Sequence, residues 1–454
     1  MIEAITHDNI GLIQNPAFRG YAQSYLDIED DFRSQLEGCG VPVAQSAAFD
    51  VFGPVPKGLA QHGLKIANDH RSFHLNWISP SCLTCRKGIR TATFLLSVQC
   101  PRNCFFCFNP NQENYEASKS GVNDVIGELD DLAARGGRLE DCALTGGEPL
   151  LHKPEALAFF EHAAALFPNA YTRLYTSGAF LDQDFLEDLH RVGLDEIRFS
   201  IKTDDSLSEQ QATLDRIRLS QNYIPQVVVE MPVMPDNLEQ MKELLLALDA
   251  MGIAGINLLE LCFPFHNAEE FAERGYRIKP RQYRVLHNWW YAGGLPIDGS
   301  EENCFALLEF AQMSGIRMGV HYCSLENKFS GQAYIHNHPV RERFPQCAFS
   351  DRDFFLKSAK VFGEDIAPVQ AALDAEGLHG YRLDLENGFL EFPPLYLESL
   401  RQAFPTQASG VPVRGALEVG IAYYLAEQRE GAPALRELRI DYTTHDSFDI
   451  QSDL

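Results

Sequence analysis

The sequence predicts an α/β fold in which a parallel sheet carries helices on its outer side. Between about residues 93 and 325, short apolar segments typical of buried strands alternate with segments of helical periodicity. Short turns join these segments, and several of the helices end at a glycine, as at Gly193 and Gly252. Repeated strand–helix units with short connections favour parallel strands with the helices outside them.

Six successive strand–helix units are expected in this region, because six apolar strand segments alternate with segments of helical periodicity. The predicted strands are Thr93–Val98, Cys142–Thr145, Thr172–Thr176, Glu196–Ile201, Gln226–Met231 and Ile256–Leu261. The predicted helices are Asn123–Arg135, Pro154–Phe167, Asp184–Val192, Leu207–Leu219 and Leu238–Met251. A further helix near Glu302–Met313 and a strand near Arg317–Tyr322 could extend the sheet.

Two segments of different character flank a core at residues 81–329. Residues 1–80 are expected to form an N-terminal extension, with a helix near Tyr25–Leu36 and a hairpin made by Leu64–Ala67 and Phe73–Ile78. Residues 330–454 are expected to form a C-terminal α+β domain. In that domain a hairpin turns at Asn387–Gly388, and an apolar-faced helix over Ala416–Gln428 precedes a strand over Leu435–Tyr442.

Length, charge and cysteine content limit the functions that are compatible with the sequence. A chain of 454 residues is too long for one ordinary core. A formal net charge of −25 would repel nucleic-acid phosphates, and no apolar run reaches the roughly 18 residues of a membrane span. The first residues do not resemble a signal peptide. We therefore expect a cytoplasmic protein, in which eleven cysteines indicate metal binding or catalysis rather than disulfides.

Three cysteines follow the first predicted strand at close spacing. Cys100, Cys104 and Cys107 form a C-x3-C-x2-C pattern on what should be a loop at the carboxyl end of that strand. Thiolates are soft ligands that suit iron–sulfur clusters, zinc or copper(I). A structural site closes its coordination with four ligands, whereas three leave a position open for chemistry. The alternative is a zinc knuckle completed by a distant residue.

A glycine-rich turn follows the second predicted strand. Its residues are Gly146, Gly147, Glu148 and Pro149. Paired glycines let a ligand approach the backbone closely, and the carboxylate can pair with a cation. Because the carboxyl ends of parallel strands meet at one edge, this turn and the three cysteines should lie together.

The cysteine spacing, the aromatic Phe106 before the last cysteine and the Gly-Gly-Glu-Pro turn resemble the radical S-adenosylmethionine superfamily. The resemblance implies a partial (β/α)6 TIM-like barrel, and it implies that Cys100, Cys104 and Cys107 bind three irons of a 4Fe–4S cluster. S-adenosylmethionine would chelate the fourth iron, with its ammonium held at the Gly-Gly-Glu stretch. Reductive cleavage of the sulfonium would then give a 5′-deoxyadenosyl radical, which abstracts hydrogen from a substrate.

The same resemblance suggests further contacts to the cosubstrate. Ser177 lies in a Thr-Ser-Gly turn where related enzymes often carry Thr-Asn-Gly. Ser200 and Lys202 resemble the polar pair that meets the ribose and the carboxylate, although both could simply line the barrel. Glu230 lies among apolar residues and needs a partner, which could be a ligand hydroxyl, Lys202 or a structural ion pair.

A second cysteine pair, Cys82 and Cys85, precedes the first core strand with the spacing of half a metal knuckle. Cys323 and Cys347 are the candidates to complete a second iron–sulfur cluster or a zinc site. The pair could instead be two free thiols or a redox dithiol. Cys323 could also be a catalytic hydrogen-atom donor, or an ordinary packed cysteine.

The sequence therefore predicts an oxygen-sensitive radical enzyme that depends on a flavodoxin- or ferredoxin-type reductant. Its substrate is expected to be a peptide or protein, with a glycyl-radical-enzyme activase as the second hypothesis and a small-molecule mutase or dehydrogenase as the third. No nucleic-acid or membrane partner is expected. A non-catalytic iron–sulfur carrier or zinc module is the alternative of another class, but it would have no use for the Gly-Gly-Glu-Pro stretch.

Overall fold

The computed structural model describes residues 1–45, 63–68, 70–85, 90–111, 115–280, 294–405, 407–408, 411–412, 416–429 and 431–454. These residues divide into two compact units. The smaller unit takes its described residues from 1–36 and 330–454, and the larger unit from the described residues between them. Each unit has a sheet of its own.

The larger unit contains eleven strands among its described residues. In chain order they are β1 (Lys65–Ala67), β2 (Ser72–Leu75), β3 (Thr91–Leu95), β4 (Asp141–Thr145), β5 (Tyr171–Thr176), β6 (Glu196–Phe199), β7 (Gln226–Val233), β8 (Gly255–Glu260), β9 (Cys262–Phe263), β10 (Leu295–Pro296) and β11 (Gly319–Cys323). Nine of them form one sheet in the order β1-β2-β11-β8-β7-β6-β5-β4-β3, and β9 pairs with β10.

The sheet is parallel from β3 to β8 and onward to β11. This confirms the predicted α/β class, and β11 extends the six expected units by one strand. The hairpin of β1 and β2 continues the sheet in antiparallel sense along β11. The carboxyl ends of all the parallel strands therefore lie at one edge, where the chemistry of such folds gathers.

Helices connect the parallel strands and cover the sheet. The longer ones are Val125–Ala134, Lys153–Leu166, Gln183–Arg191, Leu207–Ser220, Leu238–Met251 and Ser300–Met313, and the shorter ones are Pro80–Thr84, Tyr115–Ser118 and Ala268–Glu273. A helix over Leu325–Asn337 follows β11. The apolar faces of the six longer helices pack on the sheet in a single core, in which Leu129, Phe159 and Leu245 are fully buried. The predicted boundaries are close because capping residues such as Asp124 and Ser206 fix where helices begin.

The smaller unit contains, in its described part, an antiparallel sheet, four whole α-helices and residues 330–337 of the helix Leu325–Asn337. Its strands are β12 (Ala348–Phe349), β13 (Leu356–Phe362), β14 (Arg382–Asp384), β15 (Phe389–Phe392), β16 (Gln407–Ala408), β17 (Val411–Pro412), β18 (Glu418–Arg429) and β19 (Ala432–Thr444). The main sheet has the order β14-β15-β13-β18-β19, with β12 paired to β13. The helices are Pro16–Gly38, Ile366–Ala375, Leu397–Ala403 and Ile450–Asp453.

One predicted element of this unit is wrong. Residues 418–429 form strand β18 and not the expected helix over Ala416–Gln428. Both faces of this strand are buried, as shown by the successive and alternate residues Val419, Ile421, Ala422 and Tyr423. A central strand that is covered on both faces is apolar almost throughout, so its sequence lacks the period-two pattern of an exposed strand. The hairpin of β14 and β15 and the strand β19 are as predicted.

The N-terminal segment does not form one extension. Its helix Pro16–Gly38 belongs to the smaller unit, where Phe18 stacks on Phe362 with ring centroids 4.9 Å apart. The strands β1 (Lys65–Ala67) and β2 (Ser72–Leu75) instead belong to the larger unit. The segment divides because its two parts bury their apolar side chains differently. The amphipathic helix packs on the apolar surface of the smaller unit, whereas the hairpin extends the sheet of the larger unit. No helix in the described part of the chain combines the length and apolar character that a membrane crossing requires.

Candidate functional site

The loop that carries the three cysteines and the glycine turn are joined by backbone hydrogen bonds. The Gly147 amide donates to the Ser97 carbonyl at 2.7 Å, and the Glu148 amide donates to the Gln99 carbonyl at 2.7 Å. These residues follow β3 and β4, which are paired in parallel. The two motifs that the sequence singles out therefore form one structure at the carboxyl edge of the sheet.

The two glycines are needed for this contact between backbones. A Cβ atom at Gly146 would lie 2.5 Å from the Ser97 carbonyl oxygen, and one at Gly147 would lie 2.2 Å from the Gln99 carbonyl oxygen. Both distances are too short for any real side chain. The Asn109 side chain adds a third link by donating to the Gly146 carbonyl at 3.2 Å. The glycines were predicted to let a ligand approach the backbone, and in the structure they let the cysteine loop approach it.

Glu148 is completely buried, and four protein donors surround its carboxylate. One oxygen accepts from the Leu150 amide at 3.1 Å and from the Thr176 hydroxyl at 2.7 Å. The other accepts from the Ser177 amide at 2.7 Å and from the Ser177 hydroxyl. Four donors match the capacity of a carboxylate. Glu148 thus ties the glycine turn to the end of β5, and its contact with the cosubstrate ammonium stays a prediction that would require one donor to be displaced.

Removing the Glu148 carboxylate should weaken the fold of the larger unit. In a Glu148→Ala variant the Thr176 and Ser177 donors would stay buried without an acceptor, so we expect a loss of about 3 kcal/mol in the free energy of unfolding. Urea denaturation measures it. Glu140→Ala is the matched control, because its pair with Arg90 is about half exposed and should contribute less than about 1 kcal/mol. Equal, small losses in both variants would contradict the structural role of Glu148.

The three cysteines lie on a single loop whose donor set fits an iron–sulfur cluster. Cys100 is exposed, and Cys104 and Cys107 are half-buried. Desolvation raises the pKa of Cys104 to about 11, Lys202 opposes this shift, and the thiols of Cys107 and Cys100 add to it. Among the described residues no three His, Cys, Asp or Glu side chains stand in a metal-binding arrangement. The fit therefore rests on chemistry, namely three soft thiols carried on one loop.

Phe106 and Pro149 have structural surroundings on either side of the cysteine loop. The Phe106 ring lies edge-on to Phe105, with centroids 5.1 Å apart. Phe105 is buried against Phe271 at 5.1 Å, and the Arg274 guanidinium lies 4.2 Å from its ring centre. These contacts anchor the loop between Cys104 and Cys107. Pro149 is buried at the start of a short 3-10 helix, Pro149–His152.

Ser200 and Lys202 lie beyond the end of β6. The Ser200 amide donates to the Thr176 carbonyl at 3.2 Å, and its hydroxyl donates to the Glu230 carbonyl at 3.4 Å. The Lys202 ammonium lies 3.7 Å from a carboxylate oxygen of Asp205. Its charge opposes the rise in the pKa of Cys104, which lies on the cysteine loop. The proposed contacts of these two residues with a cosubstrate stay predictions.

Glu230 forms an ion pair, which was one of the alternatives for it. The Arg198 guanidinium donates to its carboxylate at 2.6 Å and the Asn257 amide at 2.8 Å. Desolvation by itself would raise the pKa of Glu230, but Arg198 and Asn257 together lower it. The same two donors approach the sulfur of Cys82, at 3.5 Å from Arg198 and 3.6 Å from Asn257. Cys82 is therefore part of a polar network between the strands.

His321 completes this network in its neutral form. The Asn257 amide nitrogen is committed to Glu230, so its oxygen faces Nδ1 of His321 at 3.0 Å and must accept a hydrogen bond. Nε2 then accepts from the Ser72 hydroxyl at 2.9 Å. Desolvation, with Arg198 as a second cause, lowers the pKa of His321 from 6.5 to about 4. The buried ring is thus uncharged at neutral pH.

Acid should destabilise the larger unit through His321. A base with a lower pKa in the folded state than in the unfolded state makes its full contribution to stability above its unfolded pKa of 6.5. It loses that contribution as the pH falls toward its folded pKa of about 4. We expect a loss of about 3 kcal/mol over this window. Unfolding midpoints measured between pH 7 and 4 check it. In a His321→Gln variant, stability should depend less steeply on pH than in the wild type. In His379→Gln, which changes an exposed histidine, the pH dependence should be that of the wild type. The same pH dependence in both variants would contradict the assignment.

Three of the four cysteines of the predicted second metal site, Cys82, Cys85 and Cys323, belong to the larger unit. Burial raises the pKa of Cys323 to about 12, Lys328 opposes the shift, and Cys85 and Cys82 add to it. Cys347 belongs to the smaller unit, where desolvation and then Glu391 raise its pKa. A metal site completed by Cys347 stays a prediction. Cys323 also accepts a hydrogen bond from the Asn327 amide at 3.4 Å.

Sequence reasoning missed the polar residues between the strands. Arg198, Asn257 and His321 are all buried and linked to Glu230 or Cys82, yet none was singled out. A usable signal was present, because Glu196 and Arg198 both lie in a predicted buried strand and a buried charge needs a partner. Asn109 was missed for another reason: its bond to Gly146 joins residues far apart in the sequence.

The comparison with protein families agrees with the site. Residues 94–248 match the radical SAM superfamily. They include the cysteine loop, the glycine turn and the strands β4 to β7. Residues 94–248 therefore match a radical SAM domain, as the resemblance predicted, and the chain is similar to enzymes that carry one. Enzymes of this superfamily use a 4Fe–4S cluster and S-adenosylmethionine.

Individual relatives are more distant. The chain is 27% identical over 363 residues to a Methanocaldococcus jannaschii protein named, provisionally, as a glycyl-radical enzyme activating enzyme, a match that covers 74% of this chain and 90% of that protein. It is 33% identical over 107 residues to the PqqA peptide cyclase of Gluconobacter oxydans, covering 24% of this chain and 28% of that one.

Among solved structures, SuiB of Streptococcus suis bound to its precursor peptide SuiA matches with a TM-score of 0.40 and 12% identity. The match covers 57% of this chain and 55% of that chain, so only about half the length of SuiB is matched.

Proposed function

We propose that this enzyme cleaves S-adenosylmethionine reductively at a 4Fe–4S cluster bound by Cys100, Cys104 and Cys107, and that it acts on a polypeptide substrate. The observation that supports this most strongly is the pair of 2.7 Å hydrogen bonds from Gly147 and Glu148 to the residues just before Cys100. They make the cysteine loop and the glycine turn one rigid unit. When bound, the cluster and cosubstrate supply an electron and a 5′-deoxyadenosyl radical that removes a hydrogen atom.

The residues of this chain have the tasks of holding, orienting and shielding. The three thiols would hold the cluster on the loop that Phe105 anchors. Glu148 fixes the turn that would face the cosubstrate ammonium, and Lys202 would meet the cosubstrate carboxylate. Their position at the carboxyl ends of parallel strands would let flanking loops exclude water from a reactive radical.

A polypeptide substrate is supported by what the relatives are named for. PqqA peptide cyclase acts, by its name, on a peptide, and the Methanocaldococcus protein is named for activating another enzyme. Modification of a peptide or protein is our first proposal. Activation of a glycyl-radical enzyme is the second, and the 90% coverage of the Methanocaldococcus protein favours keeping it.

Anaerobic reconstitution followed by reduction with dithionite tests the proposal. Protein incubated with S-adenosylmethionine should release 5′-deoxyadenosine and methionine, detected by chromatography with mass spectrometry. A reconstituted, reduced protein that releases neither would overturn it. With a candidate polypeptide present, a mass change in that polypeptide supports modification, whereas a glycyl-radical signal in its electron paramagnetic resonance (EPR) spectrum supports activation.

A further inference from the structure

An ion pair joins the cysteine loop to the turn that follows strand β6. Nη1 of Arg102 donates to Oδ2 of Asp205 at 2.7 Å. Arg102 lies between Cys100 and Cys104, two residues from each. The two side chains keep only 20% and 15% of their surface exposed, so salt screens this pair less than it screens a pair on the open surface. The pair is therefore a charge-assisted hydrogen bond that can resist displacement of the loop.

The backbone of Asp205 is fixed by the start of the helix that follows it. Ser206, the next residue, caps that helix: its hydroxyl accepts from the Glu209 amide at 3.3 Å, and its own amide donates to the Glu209 carboxylate at 3.0 Å. The Asp205 amide donates to the Lys202 carbonyl at 3.3 Å, and the Asp205 carbonyl accepts from the Gln210 side chain at 2.8 Å. A carboxylate on so constrained a backbone gives the cysteine loop a fixed point of attachment.

Two other supports hold the cysteine loop at its ends. The glycine turn bonds to the residues just before Cys100, and the packing of Phe105 anchors the residues that follow Cys104. The ion pair of Arg102 acts on the stretch between these two thiols. Because Arg102 is two residues from both cysteines, at most about 7 Å of chain separates its Cα atom from either of theirs. Holding the Arg102 side chain thus limits how far both sulfurs can move.

The same carboxylate lies beside a second cation. Oδ1 of Asp205 is 3.7 Å from Nζ of Lys202, the residue that the family resemblance assigns to the cosubstrate carboxylate. One side chain on a rigid backbone therefore contacts the cysteine loop with one oxygen and approaches Lys202 with the other. This arrangement relates the position of the loop to the position of Lys202.

We propose that Asp205 is a positioning residue for the cysteine loop. Through Arg102 it holds Cys100 and Cys104 in the arrangement in which they would bind a cluster, in register with Lys202. The proposal rests on the proposed function for the cluster itself. Asp205 acts only through these neighbours and takes no part in electron or proton transfer, so its loss should change how precisely the loop is placed.

Trypsin measures the attachment of the loop in the full-length chain before any cluster is loaded. Trypsin takes the arginine side chain into a pocket that holds an aspartate, so it can cut the Arg102–Asn103 bond only when the ion pair with Asp205 is open. In Asp205→Asn this cleavage should be about tenfold faster, because a charge-assisted hydrogen bond no longer favours the closed loop. Mass spectrometry of the fragments gives the rate. Equal rates in Asp205→Asn and the wild type overturn the proposal.

Three controls accompany this digest. Asp204→Asn makes the same change at the neighbouring residue, whose carboxylate oxygens lie 4.0 and 3.8 Å from two cations, beyond hydrogen-bond distance. It should leave cleavage after Arg102 within about twofold of the wild type. Asp205→Glu keeps the charge and should keep the rate within about threefold of the wild type. Cleavage after the exposed Arg135 should be unchanged in every variant. An equal acceleration in Asp204→Asn, or a parallel rise at Arg135, overturns the proposal, because the effect would then be general.

The rate per loaded cluster separates positioning from stability. In anaerobically reconstituted protein compared at equal iron content, Asp205→Asn should form 5′-deoxyadenosine about tenfold more slowly at saturating S-adenosylmethionine, and Asp205→Glu should recover most of that rate. A variant that was only less stable would bind less iron and keep its rate per cluster. A wild-type rate per cluster in Asp205→Asn therefore overturns the positioning role, even if cleavage is faster.

The digest does not depend on radical chemistry, so the two proposals can fail separately. Wild-type protein that releases no 5′-deoxyadenosine but shows the expected cleavage pattern would refute the proposed function and support the attachment of the loop by Asp205. Wild-type protein that is active but shows no effect of Asp205→Asn in the digest would refute the positioning role alone.

Discussion

A Cys104→Ala variant should bind less iron and release no 5′-deoxyadenosine above background. Cys104 is the central residue of the three, and desolvation and its neighbouring thiols raise the pKa of its sulfur to about 11. Loading the site therefore requires metal to displace a proton, and alanine offers neither donor nor charge. We expect the iron content to fall by about four per chain, the content of one cluster. The wild-type content is about four irons per chain, or about eight if the second site also holds a cluster.

Cys39→Ala is the matched control for this experiment, because Cys39 is an exposed thiol of the same unit. It should keep the wild-type iron content and activity. Cys100→Ala and Cys107→Ala should behave as Cys104→Ala does. Product formation at the wild-type rate by any of the three would show that the cluster is held elsewhere.

The second large effect is expected at Gly147, which has no side chain that could bind a ligand. In a Gly147→Ala variant the new Cβ would lie 2.2 Å from the Gln99 carbonyl oxygen and 2.6 Å from the Val98 carbonyl oxygen, both of which are backbone atoms. Ordinary contact begins at 3.4 Å, so the turn and the cysteine loop must separate by roughly 1 Å. A displacement of that size at reacting groups costs about a hundredfold in rate.

The rate of 5′-deoxyadenosine formation, measured at equal iron loading, checks this expectation. Gly121→Ala is the control, since nothing lies within 4 Å of a Cβ at Gly121 and its φ is not positive. It should retain the wild-type rate. Equal rates in the two variants would mean that the contact between the loops does not position the cosubstrate.

Local patterns predicted most of the larger unit and the place of its site. The helix Leu238–Met251 has the predicted bounds because apolar periodicity and Gly252 define both its face and its end. The cysteine loop and the glycine turn were predicted to meet because parallel strands bring their carboxyl ends together. Such inferences depend on residues that are near one another in the sequence.

What the sequence could not show depends on contacts between distant residues. Strand β18 was predicted as a helix, because burial on both faces removes the alternation that identifies a strand. The partners of Glu148 lie 28 and 29 positions away, so its carboxylate was assigned to a ligand and not to Thr176 and Ser177. The ion pair of Arg198 with Glu230 likewise joins two strands across the sheet.

The central claim is that three thiols hold a cluster which leaves one iron for S-adenosylmethionine beside the glycine turn. The most direct measurement is the EPR spectrum of the reduced, reconstituted protein with and without S-adenosylmethionine. The account predicts that the cosubstrate changes the signal of the wild-type cluster, because it becomes a ligand of that iron. A fully formed cluster whose spectrum is identical in both conditions would contradict the account.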